Sequence, residues 1–130
     1  MSFRRVGSGH FEALYATPED LEPGAQVELV QALEAELASR PLSLLFVVEA
    51  KTVPRSVPEY WLGVTARLAP RLRAMAIVSP SLAVRSSVAA FSIANRVRRV
   101  TLAVKGFTPA ELEEARRWCA AQRAAAAPGR

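Results

Sequence analysis

Two hydrophobic periods alternate along this chain, and the points where they switch divide it into strands and helices. The clearest segment is residues 42–50, LSLLFVVEA, apolar at almost every position until Glu49. A run that is apolar on both of its faces predicts a strand buried front and back, as a central position in an α/β sheet requires. Before it, Val27, Val30, Leu33 and Leu37 recur at three- and four-residue steps, with Glu28, Gln31, Glu34 and Glu36 mostly opposite. That spacing predicts a helix over 25–40. Arg40-Pro41 stops it, because proline drives the preceding residue out of the helical region. Further upstream, residues 3–7 and 10–16 flank Gly7-Ser8-Gly9 and read as a hairpin of short strands.

After the buried strand, Ser56-Val57-Pro58-Glu59 has capping-box spacing. It puts Ser56 at the cap of a helix over 57–69, with Trp61, Leu62, Thr65 and Leu68 inward. Residues 75–78 form a short apolar strand. Ser79 then caps, and Pro80 opens, a helix with Val84, Val88, Phe91 and Ala94 or Asn95 inward. Residues 98–104 read as another strand. Thr108-Pro109-Ala110-Glu111 repeats the capping box and opens a last helix, with Leu112, Ala115, Trp118 and Cys119 facing in. This helix is expected to run to about residue 123, leaving 124–130 as a disordered tail.

The expected fold is α/β, one domain over 1–123: a five-stranded mixed sheet with about four helices, in the order ββαβαβαβα. Alternation after residue 25 predicts parallel neighbours joined by right-handed crossovers. If the last three strands step in one direction, the helices between them share a face. The other face of 42–50 then needs the first helix, the hairpin or another chain to cover it, which raises the expectation of a homodimer.

Composition narrows the class. A chain of 130 residues with 51% hydrophobic and 22% charged residues can bury one proper core. The single cysteine, Cys119, offers neither an internal disulfide nor a metal cluster, which suits a reducing, cytoplasmic setting. No apolar stretch follows Arg4 and Arg5, so no signal peptide is read. No run is long enough to span a membrane.

The net charge is +5 and the pI about 10.3, almost all from arginine. Arg67, Arg71 and Arg73 surround one helix end. Arg85, Arg96, Arg98 and Arg99 flank the next helix, and Lys51 and Arg55 lie in the loop after the buried strand. Convergence of these on one edge would hold an anionic partner, such as an acidic protein face, a nucleotide or a phospholipid head group. Nucleic acid is disfavoured. Aromatic residues make up only 7%, and Trp61, Phe91 and Trp118 fall at helical core positions, not interleaved with the cations as a stacking platform requires.

Reactive chemistry is sparse. His10 is the only histidine and has no nucleophile or base at recognisable spacing. The carboxylates of 28–36 and 111–114 sit at surface spacing. Gly7-Ser8-Gly9 precedes a strand, so it lacks the setting of a dinucleotide fingerprint. No cofactor, metal or enzymatic activity is expected, and Cys119 reads as a small core residue.

The segment AMAIVSPSLAVRSSVAAFSIANRVRRVTLAVKGFTPAELEEARRWC, with Phe107 and Glu113-Glu114-Ala115-Arg116-Arg117-Trp118, resembles the SpoIIAA-like or STAS-type domains of bacteria. The similarity covers roughly residues 40–122. It implies a non-catalytic signalling module that works by binding another protein. In the family's anti-sigma-factor antagonists a phosphorylated Ser or Thr follows the third strand. The matching stretch here is 51–56, with Thr52 and Ser56 as positional candidates, although the usual D-S-x-G motif is absent. STAS-like folds are also similar to lipid-binding SEC14-type domains. That likeness implies an alternative role as carrier or sensor of a small apolar or anionic ligand, lipid or nucleotide, in a pocket lined by Phe46, Trp61, Phe91 and Ile93.

Overall fold

A computed structural model describes residues 2–6, 10–50, 53–69 and 71–126. The strands are β1 (Ser2–Val6), β2 (His10–Tyr15), β3 (Leu42–Val48), β4 (Leu72–Val78) and β5 (Ala103–Phe107). The helices are α1 (Pro23–Ser39), α2 (Ser56–Leu68), α3 (Leu82–Val97) and α4 (Leu112–Ala126), with short 3₁₀ turns at Pro18–Leu21 and Pro109–Glu111. The sheet runs β1-β2-β3-β4-β5 in sequence order. β1 pairs antiparallel with β2, and β2 through β5 are parallel. The all-apolar segment is thus the central strand, with a parallel neighbour on each side.

Sequential parallel strands joined by right-handed crossovers put α1, α2 and α3 on one face. Their stripes meet Phe11, Ala13 and Tyr15 of β2, Leu42, Leu44, Phe46 and Val48 of β3, and Leu72 and Met75 of β4 in one core. The opposite face carries Leu45, Ala76, Val78 and Phe107, packed under Ala115 and Cys119 of α4. The second apolar face therefore has its cover within the chain, supplied by the last helix and not by the first helix or the hairpin. The reason for expecting a homodimer falls away with it. Small side chains make the close approach possible: Ser43 Oγ donates to the Cys119 carbonyl at 3.1 Å. Burial pushes the Cys119 thiol up to about 12, which leaves it a core residue.

Several boundaries move for identifiable reasons. α1 buries Val30, Leu33 and Leu37 as expected, but at its N-terminal end Gln26 and Leu29 face in and Val27 is 44% exposed. α3 starts at Leu82, capped by Ser81, whose hydroxyl accepts from the Val84 amide at 3.3 Å. Ser79 instead is fully buried and accepts from the Ser81 amide. The expected strand at 98–104 starts five residues late. Arg99 has φ 59°, and the Arg99 and Val100 amides donate to the Arg96 and Asn95 carbonyls. This is a left-handed helix cap on a non-glycine residue, and it absorbs the first residues of that apolar run. β4 starts three residues early, and its register against β3 shifts between Leu42 and Leu44. The extra residue lets Leu72 and Met75 face the same core. The Thr108–Glu111 capping box is present. α4 continues to Ala126, three residues beyond its expected end. The Gly7-Ser8-Gly9 turn and residues 127–130 lie outside the described residues. No described helix is long and apolar enough to cross a membrane.

Candidate functional site

Helices pack 8–10 Å apart whereas strands lie about 4.8 Å apart, so three helices on one face of consecutive strands cannot lie flat and parallel. α2 and α3 resolve the mismatch by diverging. Toward their C-terminal ends they are clasped by a buried hydrogen bond, Thr65 Oγ1 to Asn95 Oδ1 at 3.1 Å. Toward their N-terminal ends they part over the carboxyl ends of the parallel strands, and the gap is a cleft of about 440 Å³.

The floor of the cleft comes from the sheet: Tyr15, Phe46 and Val48, then Met75, Ile77 and Val104. One wall is Val57, Pro58 and Trp61 of α2; the other is Val84, Val88 and Phe91 of α3. Val53, Arg55, Ala83 and Ser87 complete the lining, and Arg55 and Ser87 are exposed. The aromatic floor is continuous. The Phe46 ring lies 4.9 Å from Tyr15 and 5.0 Å from Trp61, the latter edge to face.

Gln26 holds this floor in place. Its Oε1 accepts from the Tyr15 hydroxyl and from Trp61 Nε1 at 2.9 Å, while its Nε2 donates to the Asp20 carbonyl at 2.8 Å. Three buried polar groups are thereby paired, and both rings turn their apolar surfaces to the cleft. Burial drives the Tyr15 phenol well above its ordinary range, so it stays a neutral donor. The Asp20 carboxylate accepts from the Ala16 and Thr17 amides and fixes the turn that leads into α1.

A second polar cluster lies under α4, on the other side of the sheet. Glu12 accepts from His10 Nε2 at 2.9 Å and from Arg116 Nε at 2.8 Å, and Arg116 also reaches Glu113. Burial raises the Glu12 pKa, but the hydrogen bonds from Arg116 and His10 outweigh it and hold the carboxyl below its ordinary range. The cluster ties β2 to α4 across 104 residues of sequence. The only histidine is thus a hydrogen-bond partner in a structural contact.

The sequence-derived candidates divide. Phe46, Trp61 and Phe91 line the cleft together, as expected of a pocket. Ile93 does not; it is on the outer side of α3, 56% exposed. Arg55 stands at the cleft mouth, with Glu59 3.8 Å away. Arg85 lies near the N-terminal end of α3, donating to the Ser79 carbonyl. Arg96, Arg98 and Arg99 are at the far end of that helix, roughly 17 Å or more along its axis. The cations therefore do not converge on one anion pocket. Lys51 and Thr52 lie outside the described residues.

Ser56 is not the cap of α2. The cap is Arg55, with no side-chain cap bond, and Ser56 is the first residue inside the helix and exposed. The turn begins at Pro54, whose carbonyl accepts from the Val57 amide, so the helix opens one residue ahead of the box. Ser56→Ala is accordingly expected to change stability by no more than about 0.5 kcal/mol, where a true cap costs about 1 kcal/mol. Urea titration of the two proteins decides between them.

The floor residues Tyr15, Met75 and Ile77, and Gln26 beneath them, are absent from the sequence-derived set. The available signal was the alternation of β2, which turns Phe11, Ala13 and Tyr15 to one face. Comparison with family models, curated proteins and solved structures finds no match.

Proposed function

We propose that this protein is a non-catalytic binding module, a STAS-like domain that carries or senses a small apolar ligand with an anionic end. The observation that carries this reading is the 440 Å³ cleft, a volume in the range of small-molecule sites. Its lining is aliphatic and aromatic. Its buried polar groups, Tyr15 and Trp61, are already paired to Gln26, so the interior asks for apolar matter. The charge at the mouth is Arg55, whose side chain is 91% exposed and only loosely paired to Glu59. An exposed pair of that kind contributes little, which leaves the guanidinium available to a carboxylate or phosphate.

The test is displacement of a fluorescent apolar anion, anilinonaphthalene sulfonate, by medium-chain fatty acids. Ser87→Trp places an indole at the mouth from an exposed position. It is expected to weaken probe binding at least roughly tenfold with stability unchanged, the size of effect set by occluding an apolar pocket. Arg55→Glu is expected to weaken the anionic probe but not the neutral phenylnaphthylamine. Probe affinity indifferent to Ser87→Trp would remove the cleft as the site.

A second reading, a signalling module that acts by binding another protein, draws on Ser56. This hydroxyl is exposed in the first turn of α2, beside the cleft mouth. Phosphate there is favoured by the helix dipole and by Arg55. Under this reading Ser56→Asp alters partner affinity, whereas Ser56→Ala leaves the unphosphorylated affinity unchanged.

A further inference from the structure

Between residues 60 and 110 the chain contains no Asp or Glu, while arginine recurs throughout; all 12 acidic side chains fall elsewhere. This segment builds most of α2, β4, α3 and the edge strand β5. Within these elements the charge is all positive; the carboxylates that meet it come from elsewhere, as Glu34 meets Arg67 and Glu111 lies near Lys105 and Arg85.

The outer face of α3 adds a second feature. At about 100° per residue, Leu82, Ile93 and Val97 fall within about 60° of one another, opposite the buried Val84, Val88 and Asn95. They are 71%, 56% and 77% exposed. Single exposed aliphatics are ordinary, but these three form a line some 22 Å long on one helix. Arg85 and Arg96 flank the line on one side. On the other side Ala83 and Ser87 lead into the cleft. Arg98 and Arg99 extend the positive charge beyond the helix end. None of these four arginines makes an ion pair among the described residues.

We propose that α3 docks on an anionic lipid bilayer, with the aliphatic line entering the interface and the arginines meeting the head groups. Protruding aliphatics between cations are what an interfacial helix presents. Nucleic acid has no use for them. The choice of a bilayer over an acidic protein rests on the reading of the cleft as a site for an apolar ligand. Such a ligand partitions into bilayers, and α3 is the wall that cleft and docking face share.

The experiment is co-sedimentation of the full chain with vesicles of phosphatidylcholine alone, or of equimolar phosphatidylcholine and phosphatidylglycerol. Binding is expected to the anionic vesicles only, and to weaken as salt is raised. Ile93→Glu with Val97→Glu, and separately Arg96→Glu with Arg98→Glu, are each expected to lower affinity at least roughly tenfold. All four positions are exposed, and circular dichroism checks the fold. Val27→Glu, on the exposed side of α1, is expected to change nothing. Absence of binding to anionic vesicles overturns the proposal, as does binding indifferent to both double variants. Retention on immobilised polyglutamate without vesicle binding overturns it in favour of an acidic protein. The vesicle-free probe assay keeps the two readings apart. Probe binding without vesicle binding overturns docking alone. Vesicle binding without probe binding supports docking and overturns the cleft.

Discussion

Phe46→Ala is expected to lower the free energy of unfolding by about 3–5 kcal/mol, a large share of the stability of a domain this size. Phe46 is buried in the central strand, 3% exposed, and its ring is held between Tyr15 and Trp61. Truncation removes the transfer energy of the ring and leaves a void that the flanking aromatics cannot fill, because Gln26 pins both by their polar ends. The void opens into the cleft. The variant that folds is therefore expected to hold anilinonaphthalene sulfonate at least as well as the parent while melting earlier. Urea unfolding and probe titration on the same sample check both halves. Loss of probe binding in a protein that is still folded would show that the probe needs the Phe46 ring itself and not the space around it.

Gln26→Ala is the second large effect, and its cause is different. The side chain occupies little of the cleft, yet it accepts from Tyr15 and Trp61 and donates to Asp20. Removing it strands two buried donors and a carbonyl, each costing about 1–3 kcal/mol when left unpaired. Water entering through the cleft recovers part of this, so a net loss of about 2–4 kcal/mol is expected. Gln26→Glu separates the roles. The protonated acid accepts from Tyr15 and Trp61 and donates to the Asp20 carbonyl as Gln does. A carboxylate buried here has no cation to pair with among the described residues, so the loss should shrink as pH falls. Equal losses for the two variants at low pH would mean that the two aromatic donors do not depend on this residue.

The order of elements was legible because each switch of hydrophobic period coincides with a chain-breaking signal: Pro41 after α1, Ser79-Pro80 before α3, Thr108-Pro109 before α4. The central strand was legible because nothing but burial on both faces accounts for LSLLFVV. The faces were harder. That α4 covers the second face follows from the sheet being wound in one direction throughout, a tertiary fact that no local period encodes. Ser56 misled because a capping box is a spacing, and the same spacing arises when a helix begins one residue earlier. The run at 98–104 misled because its apolar residues suit a strand, whereas the Asn95 and Arg96 carbonyls needed donors and took them from Arg99 and Val100. Three cleft aromatics were visible as inward positions. Ile93 was not separable from them until the helix had a side.

Every strand in this sheet hydrogen-bonds only to strands next to it in sequence, so the sheet and its first three helices can assemble progressively, each unit seeding the next. The exception is the final helix. It must fold back across the sheet to reach Glu12, 104 residues away in sequence, so its contacts exist only once the strands beneath it have paired. A nascent chain lacking its last twenty residues would thus be nearly assembled and still sticky, with Leu45, Ala76 and Phe107 bare. Pulse-labelled amide exchange during refolding should find β3 and β4 protected before α4; simultaneous protection would mean that the terminal helix helps start the process.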